Sequence, residues 1–450
     1  QYYASRMFYY GDVRGDDMQA RTQGMRSSSC YEMKYTIDDA PNMWNVQYNV
    51  LRRANRLIEA VENNKITDAE KNQANVNNIY AQAKSVRALV HFDLVKVYGM
   101  PYSFDNGASM GVPIVTTPID PLNASAIPGR NTVAEVYTQI VKDLTEAIDS
   151  KALNVSKSAG DNQGFIDEWA AKALLTRVYI YMGKNQEALD MAKNIIENSP
   201  YSLWTKAQYA NAWDKNNANH INEMIFELVN SGSDDWADRE GIAYLYHEDG
   251  YADAICTKSF VDMLAQDPSD VRLDVILPVQ LKTDDNGKPT DMYKTYGDNR
   301  IFINKFPMGS LGDMRLNNLP ILRLSEVYLN AAEAAAKLND KTSTAKYLNE
   351  IIKNRTDDTK QLVTESTATL ERVLLERRKE LVGEGQRFFD AMRNNETVTR
   401  YTNEDEKGWH YSINKESQVF DCTYFRTILP IPVSETNANP TLKAQQNPGY

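Results

Sequence analysis

The chain contains, at residues 169–203, the segment WAAKALLTRVYIYMGKNQEALDMAKNIIENSPYSL, which follows the pattern of a tetratricopeptide helix hairpin. Leu175 and Tyr179 occupy apolar positions of the first helix, and Gly183 stands where the chain must reverse. The small side chains of Ala188 and Ala192 allow the second helix to pack closely against the first. This segment therefore predicts two antiparallel helices joined by a tight turn.

Amphipathic helices are predicted on both sides of this hairpin. Apolar residues recur with the helical period at 50–61 and 86–97. Thr132 and Glu135 have the spacing of a capping box at the start of a third helix. A second hairpin is predicted to begin near Leu322. Together these patterns predict an all-α protein built from tetratricopeptide-like helix hairpins.

The region between the two hairpins is rich in Asn, Asp, Gly and Tyr and has no repeat pattern. A continuous solenoid does not accommodate so long a segment without repeats. We therefore expect one domain over 1–450, with a helical scaffold at 42–200 and 319–395. A large, irregular, loop-rich insertion at 202–318 is predicted to bind the ligand, and a proline-punctuated tail at 429–450 is predicted to be extended.

The composition excludes several classes of function. With 50 Lys and Arg against 61 Asp and Glu, the net charge is −11, and an acidic surface repels nucleic acid. No stretch approaches the ~20 apolar residues of a membrane-spanning helix. The three cysteines and four histidines follow no metal-binding spacing, so we expect neither a metal nor a cofactor.

A charged helix is predicted to be structural. Glu376, Glu380 and Glu384 recur at helical spacing around three consecutive basic residues, and Arg387 follows Glu384 by three positions. Acids and bases at this spacing usually form an ion-pair network, not a catalytic site. No nucleophile elbow or phosphate-binding loop is present, so we expect a protein that is not an enzyme.

Two regions combine aromatic rings with polar side chains, the mixture typical of a sugar-binding surface. The first region lies before the first long helix and includes Arg26 and Tyr35 in addition to the candidates named below. The second region is the insertion at 202–318. The tryptophans Trp44, Trp169 and Trp204 are predicted to belong to the core. The candidate ligand-binding residues are Asp16, Asp17, Arg21, Tyr31, Trp236, Tyr244, Tyr246, Tyr293 and Tyr296.

Several motifs together resemble the SusD/RagB family of Bacteroidetes surface lipoproteins. They are RANRLI at 53–58, AKSVRALVHFDLVKVYG at 83–99, GVPIV at 111–115, LRLSEVYLNAAEA at 322–334, ERRKEL at 376–381 with EGQRFFD at 384–390, and LPIP at 429–432 with NP at 439–440 and QNPGY at 446–450. These motifs occur in the same order as in the family, and together they extend over nearly the whole chain. The lipidated cysteine of the family is not in this sequence.

The resemblance implies a SusD-like fold and a protein of the outer cell surface, attached to the outer membrane through an N-terminal lipid anchor missing from this chain. It implies non-catalytic capture of glycans or oligosaccharides for a SusC-like, TonB-dependent transporter. Two alternatives remain open at this point. One is capture of peptides for the same kind of transporter, and the other is a soluble tetratricopeptide adaptor that binds other proteins.

Overall fold

The computed structural model describes residues 2–21, 26–118, 128–213, 220–230, 239–247, 250–276, 301–306, 313–400, 410 and 413–450. Its α-helices, in chain order, are α1 (Met7–Asp12), α2 (Ser28–Glu32), α3 (Trp44–Glu62), α4 (Gln73–Tyr98), α5 (Tyr102–Asp105), α6 (Val133–Asp149), α7 (Glu168–Tyr181), α8 (Asn185–Asn198), α9 (Lys206–Ala212), α10 (Ile242–Tyr246), α11 (Lys258–Leu264), α12 (Leu273–Ile276), α13 (Leu324–Lys337), α14 (Lys341–Lys353), α15 (Leu370–Leu381), α16 (Arg387–Arg393), α17 (Lys415–Gln418), α18 (Val433–Ala438) and α19 (Pro440–Ala444). The strands are β1 (Met18–Ala20), β2 (Met224–Leu228), β3 (Ala254–Cys256), β4 (Leu319–Arg323), β5 (Val398–Thr399) and β6 (Val419–Phe420). A π-helical turn at Tyr2–Arg6 and 3₁₀ turns at Ala69–Lys71, Met314–Leu316, Thr359–Gln361 and Phe425–Thr427 complete these elements. The predicted all-α fold with helix hairpins is confirmed, and the strands form only two-stranded ribbons.

Both predicted hairpins are present and pack against each other. Helices α7 and α8 form the first, with Ala188 and Ala192 fully buried between them, and α13 and α14 form the second. Helix α8 also packs against α13, so the two hairpins stack although more than a hundred residues separate them in sequence. Trp169 is buried in the same core.

The turns of the two hairpins both require a residue with a positive φ, and they use different residues for it. Gly183 has a φ of 70°, and Asn339 has a φ of 60° at the equivalent turn. A Cβ on Gly183 would meet no atom within 4 Å, so alanine there would suffer backbone strain without a clash.

We expect Gly183→Ala to lower the free energy of unfolding by about 1–2 kcal/mol, the cost of a left-handed conformation with a Cβ atom. Asn339→Gly is the matched comparison and should leave stability unchanged or raise it slightly, since it removes that cost. Urea unfolding curves of both variants measure the difference. Equal stabilities of Gly183→Ala and the natural chain would contradict the strain argument.

The amino-terminal helices form a layered packing around α4. Helix α4 packs against both α3 and α6 and ends at Tyr98, with Gly99 as its C-cap residue. Helix α6 begins with the predicted capping box, in which Thr132 Oγ1 accepts the Glu135 backbone N–H and the Glu135 carboxylate accepts the Thr132 N–H. Trp44 is buried, with its ring 4.9 Å from that of Tyr98. The capping box and the burial of Trp44 were predicted from the sequence.

The described parts of 202–318 contain short helices and strands that dock on the hairpins. Strand β2 pairs antiparallel with β4, directly before α13. Trp204 and Trp213 form a second small core with Tyr209, Met224 and Val275. The division of the chain into scaffold and insertion stays a prediction.

The tail at 429–450 is not uniformly extended, which corrects the prediction. Helices α18 and α19 lie within it. Proline does not prevent them, because Pro432 directly precedes the first residue of α18 and Pro440 is the first residue of α19, where no intrahelical N–H bond is needed.

The charged helix α15 contributes to a buried ion network. Glu380 is fully buried and accepts hydrogen bonds from Arg323 at 2.7 Å, from Arg355 at 2.8 Å and from Arg272 at 3.2 Å. Burial alone would raise the pKa of the Glu380 carboxyl, but the charges of Arg355 and Arg323 outweigh it and hold that pKa well below its ordinary value. The network joins residues of 202–318 to the hairpins. The prediction that this charged segment forms an ion-pair network is confirmed, but Glu380 pairs in the interior with arginines outside α15 and not with its neighbours on the helix.

Two details of the charged segment differ from the prediction. Helix α15 ends at Leu381, so Glu384 lies in the turn that follows and not on the helix face. Glu384 accepts hydrogen bonds from Arg323 and Lys305, while Arg387 pairs with Asp16. A double-glycine turn at Gly383 and Gly385, both with positive φ, ends the helix early.

Candidate functional site

Strand pairing brings the two predicted binding regions together. Met18 lies opposite Cys256 and Ala20 opposite Ala254 in the β1–β3 ribbon. The ladder is prolonged by the backbone N–H of Arg21, which donates to the Asp253 carbonyl at 2.8 Å. The segment before the first long helix therefore runs beside the segment that follows α10.

Asp253 also binds the segment that begins at Arg26. Its buried carboxylate accepts the backbone N–H groups of Arg26 and Ser27, each at 2.8 Å. The Ser27 hydroxyl donates to the Asp253 carbonyl at 3.1 Å. These bonds place the Arg26 side chain next to the residues around Tyr251.

Two half-buried tyrosines form an aromatic surface at this position. The rings of Tyr244 and Tyr251 lie 5.6 Å apart, with 41° between their planes. The Arg26 guanidinium stands 4.0 Å above the Tyr251 ring, and its Nε donates to Glu240 at 2.5 Å. The hydrogen bond to Glu240 raises the pKa of Arg26.

The backbone between the two tyrosines is tightly constrained. The Tyr251 N–H donates to the Tyr244 carbonyl at 2.6 Å, and the Asp253 N–H donates to the Leu245 carbonyl at 2.7 Å. A Cβ on Gly250 would lie 2.4 Å from the Tyr244 carbonyl oxygen, so only glycine fits there. Ala252 has a φ of 46°, a strained conformation held by the surrounding structure. The ring pair is thus held by backbone geometry.

A second ion pair lies beside α10. The turn Met314–Leu316 packs against α10, and Arg315 Nε donates to both carboxylate oxygens of Asp313, each at 2.9 Å. The bond from Arg315 lowers the pKa of Asp313, with a smaller contribution from the exposed Arg239. We call this surface the Tyr244–Tyr251 patch; its residues are Arg26, Glu240, Tyr244, Tyr251, Asp313 and Arg315.

Of the predicted site residues, Tyr244 lies in the patch and Arg21 lies next to it, at the end of β1. Asp16 is partly buried and accepts a hydrogen bond from Arg387 at 2.6 Å. Trp236, Tyr293 and Tyr296 lie outside the described residues.

Three of the predicted site residues are buried, which corrects the prediction that they form a ligand surface. Asp17 pairs with Arg378 at 3.1 Å. Tyr31 stacks on His410 at 5.8 Å, and its hydroxyl lies 3.1 Å from His410 Nδ1. Tyr246 is on the buried side of α10. Their polar atoms are engaged inside the protein, so they position neighbouring segments.

Glu240, Tyr251, Asp313 and Arg315 were not among the residues predicted from the sequence, and Arg26 was placed in the region without being selected as a candidate. The sequence feature that could have indicated Tyr251 is its position directly after Gly250 and seven residues after Tyr244. The Arg26–Glu240 pair gives no local pattern, because its two residues are 214 positions apart.

Tyr246 connects the site helix to the protein interior. Its hydroxyl donates to Asp12 at 2.8 Å, and the Gly385 N–H donates to the same carboxyl group at 3.0 Å. Burial raises the pKa of Asp12 from 3.8 to about 8, opposed by these two hydrogen bonds. The nearby charge of Glu384 raises the pKa of Asp12, and that of Lys305 lowers it.

This raised pKa predicts a pH dependence of stability. The folded chain holds the Asp12 proton more tightly than the unfolded chain, so the contribution of Asp12 is full below about pH 4 and is lost as the pH rises through about 8. We expect Asp12→Asn, which cannot ionise, to lose less stability than the natural chain between pH 5.5 and 8.5. Urea midpoints of both proteins at the two pH values test this, and parallel pH profiles would contradict it.

The described part of the chain contains neither a candidate metal site nor a candidate membrane-spanning helix. There, no group of three His, Cys, Asp or Glu side chains is arranged to hold a metal ion. None of the helices described has the length and apolar character needed to cross a membrane. Burial lowers the pKa of His91 and of His410 to about 3, so both are neutral structural residues at physiological pH.

Comparison with known proteins gives consistent matches. A family model described as SusD family matches residues 156–450, and one described as starch-binding associating with outer membrane matches residues 3–180. A SusD superfamily protein of known crystal structure from Bacteroides thetaiotaomicron is 38% identical, with a TM-score of 0.86, and the match covers 99% of this chain and 95% of that chain. A SusD-like protein from Formosa agariphila is 23% identical over an alignment of 462 residues, covering 93% of this chain and 80% of the relative. A laminarin-binding SusD-like protein, 23% identical, shares the fold with a TM-score of 0.70 over 99% of this chain and 94% of that one.

Proposed function

The chain belongs to the SusD family, and from this we propose that it captures an oligosaccharide on the Tyr244–Tyr251 patch. The family is one of carbohydrate-binding proteins and not of enzymes. The observation that carries the proposal is the partly exposed tyrosine pair flanked by two arginine–carboxylate pairs.

The chemistry of the patch suits a sugar. A pyranose ring has apolar C–H faces that pack on aromatic rings, and a rim of hydroxyls that donate and accept hydrogen bonds. Guanidinium groups supply donors and carboxylates supply acceptors for that rim. Arg26 with Glu240 and Arg315 with Asp313 offer both kinds of group next to the rings. A ligand can therefore stack and be oriented at the same place.

We further propose that the protein acts at the outer face of the outer membrane, held by a lipid anchor, and passes its ligand to a SusC-like, TonB-dependent transporter. The match of residues 3–180 to a model described as starch-binding associating with outer membrane supports this location. In this proposal the chain captures the ligand, and the transporter moves it across the outer membrane.

Isothermal titration calorimetry with a panel of oligosaccharides and peptides tests the proposed capture. We expect saturable binding of at least one oligosaccharide, with no change in its mass after prolonged incubation, because nothing is cleaved. Saturable binding of peptides alone would refute capture of glycans. Release of a shortened product would refute the non-catalytic function.

A further inference from the structure

We infer that the Tyr244–Tyr251 patch takes uncharged oligosaccharides and rejects uronic acid and sulfated ones. This inference rests on the proposed function, since it names the class of glycan bound at the same site. It stands on the ion pairs of the patch and on the charges carried by the adjoining sequence.

The guanidinium groups of the patch already have carboxylate partners. Arg26 is hydrogen-bonded to Glu240, and Arg315 binds Asp313 through its Nε and a terminal nitrogen. All four side chains are partly exposed, so a ligand would meet each cation together with its anion. An anionic sugar approaching either arginine would also approach a carboxylate, and it would have to displace that carboxylate to gain a full ion pair.

Two further charges at the patch also oppose each other. Arg239 is exposed and close enough to Asp313 to contribute to lowering the pKa of its carboxyl. Asp253 is buried behind Arg26 and accepts its backbone N–H at 2.8 Å. Counting these two with the four ionisable side chains of the patch gives three cations and three anions, a formal charge of zero.

The sequence that continues from these residues is acidic. Segments 231–238 and 248–249 contain no Lys or Arg and carry five acids: Asp234, Asp235, Asp238, Glu248 and Asp249. Asp238 is bonded directly to Arg239, and the last two acids lie between His247 and Gly250. The sequence adjoining the patch therefore carries more acidic than basic residues.

The whole chain adds to this effect with its net charge of −11. A negative surface slows the approach of polyanions and raises the free energy of any bound anion. A neutral glycan meets neither penalty and can use the paired arginines and carboxylates as fixed donors and acceptors. Recognition then depends on stacking and hydroxyl contacts, which salt affects little.

The test compares six-unit neutral oligosaccharides of glucose, mannose, xylose and galactose with oligogalacturonate and a sulfated galactan oligosaccharide. Binding is measured by calorimetry on the full chain at 20 mM and 300 mM NaCl. We expect a neutral ligand to bind with nearly the same affinity at both salt concentrations, and the anionic ligands to bind at least about tenfold more weakly. Tighter binding of an anionic ligand, weakened by salt, would overturn this inference and leave glycan capture standing. Binding of no saccharide at all would overturn the proposed function itself.

A charge variant tests the cause. Glu240→Gln frees the Arg26 guanidinium from its anionic partner, and we expect it to raise the affinity for oligogalacturonate, relative to the neutral ligand, by about fivefold. Glu62→Gln is the matched control, since Glu62 also lies beside a tyrosine and a cation, Tyr80 and Lys84, on the helical scaffold. An unchanged ratio in Glu240→Gln, or an equal rise in Glu62→Gln, would overturn the role of the patch charges.

Discussion

Replacing Tyr251 with alanine is expected to weaken oligosaccharide binding by about ten- to a hundredfold. The ring supplies half of the aromatic surface and also carries the Arg26 guanidinium at 4.0 Å. Losing the burial of such a ring costs about 1.5–3 kcal/mol, which corresponds to that change in affinity. Tyr244→Ala should give a loss of similar size, while Tyr251→Phe should keep most of the affinity because the ring remains.

The matched control is Tyr80→Ala. Tyr80 lies on α4 with Lys84 4.6 Å above its ring and a hydrogen bond from its hydroxyl to Glu62 at 2.7 Å. It therefore resembles Tyr251 in being a partly exposed tyrosine with a cation above its ring, at a position far from the patch in the sequence. Calorimetric titration of each variant with the same ligand gives the ratio of affinities, and circular dichroism during heating shows whether the fold is retained.

Two results would contradict the proposed site. One is a loss of affinity in Tyr251→Ala no larger than that in Tyr80→Ala. The other is a collapse of the melting temperature in Tyr251→Ala, since that would assign the ring to the core. Full affinity in Tyr244→Ala would limit the aromatic surface to Tyr251.

The hairpins could be predicted from the sequence because the information is local. Gly183, Ala188 and Ala192 define a turn and a close helix contact within ten residues, and the capping box needs only Thr132 and Glu135. The motifs that resemble the family are also mostly these scaffold helices. Elements whose pattern lies within a few turns are therefore the part of the fold that sequence reasoning finds.

The site depends on contacts that no local pattern contains. Tyr244 and Tyr246 are two residues apart on the same short helix, yet one ring is half-exposed and the other is fully buried against Phe306. The residue type is the same at both positions, so the difference in exposure follows from how α10 packs against the rest of the protein. Tyr31 shows the same effect, because its ring is covered by His410, far away in sequence. The sequence indicates that tyrosines and charged residues occur together in this region, but it does not indicate which of the tyrosines are exposed.

The ion network shows how the interior constrains the surface. Glu384 binds Arg323 and Lys305, and the next residue, Gly385, donates its N–H to Asp12. Asp12 in turn accepts the hydroxyl of Tyr246 at the end of α10. The helix that presents Tyr244 is thus connected through hydrogen bonds to the same buried charges that join the hairpins. A change in those charges should affect the stability of the whole domain.

The largest effect on stability is expected for Glu380→Gln. The substitution keeps the shape of the side chain and removes one buried negative charge from between Arg272, Arg323 and Arg355. Breaking a buried ion pair from one side costs about 3–5 kcal/mol, because the remaining charge stays buried without compensation. Urea unfolding at pH 7, followed by tryptophan fluorescence and circular dichroism, measures the change in free energy of unfolding.

Glu371→Gln, on the exposed first turn of the same helix α15, is the control and should change the free energy of unfolding by no more than about 0.5 kcal/mol. The pKa of Glu380 adds a second readout. Because that pKa is depressed in the folded chain, its stabilisation is present above the unfolded pKa and is lost as the pH falls. The gap in stability between the natural chain and Glu380→Gln should therefore narrow on acidification. A cost below about 1 kcal/mol at pH 7, or a gap that does not change with pH, would mean that the three arginines are compensated without Glu380.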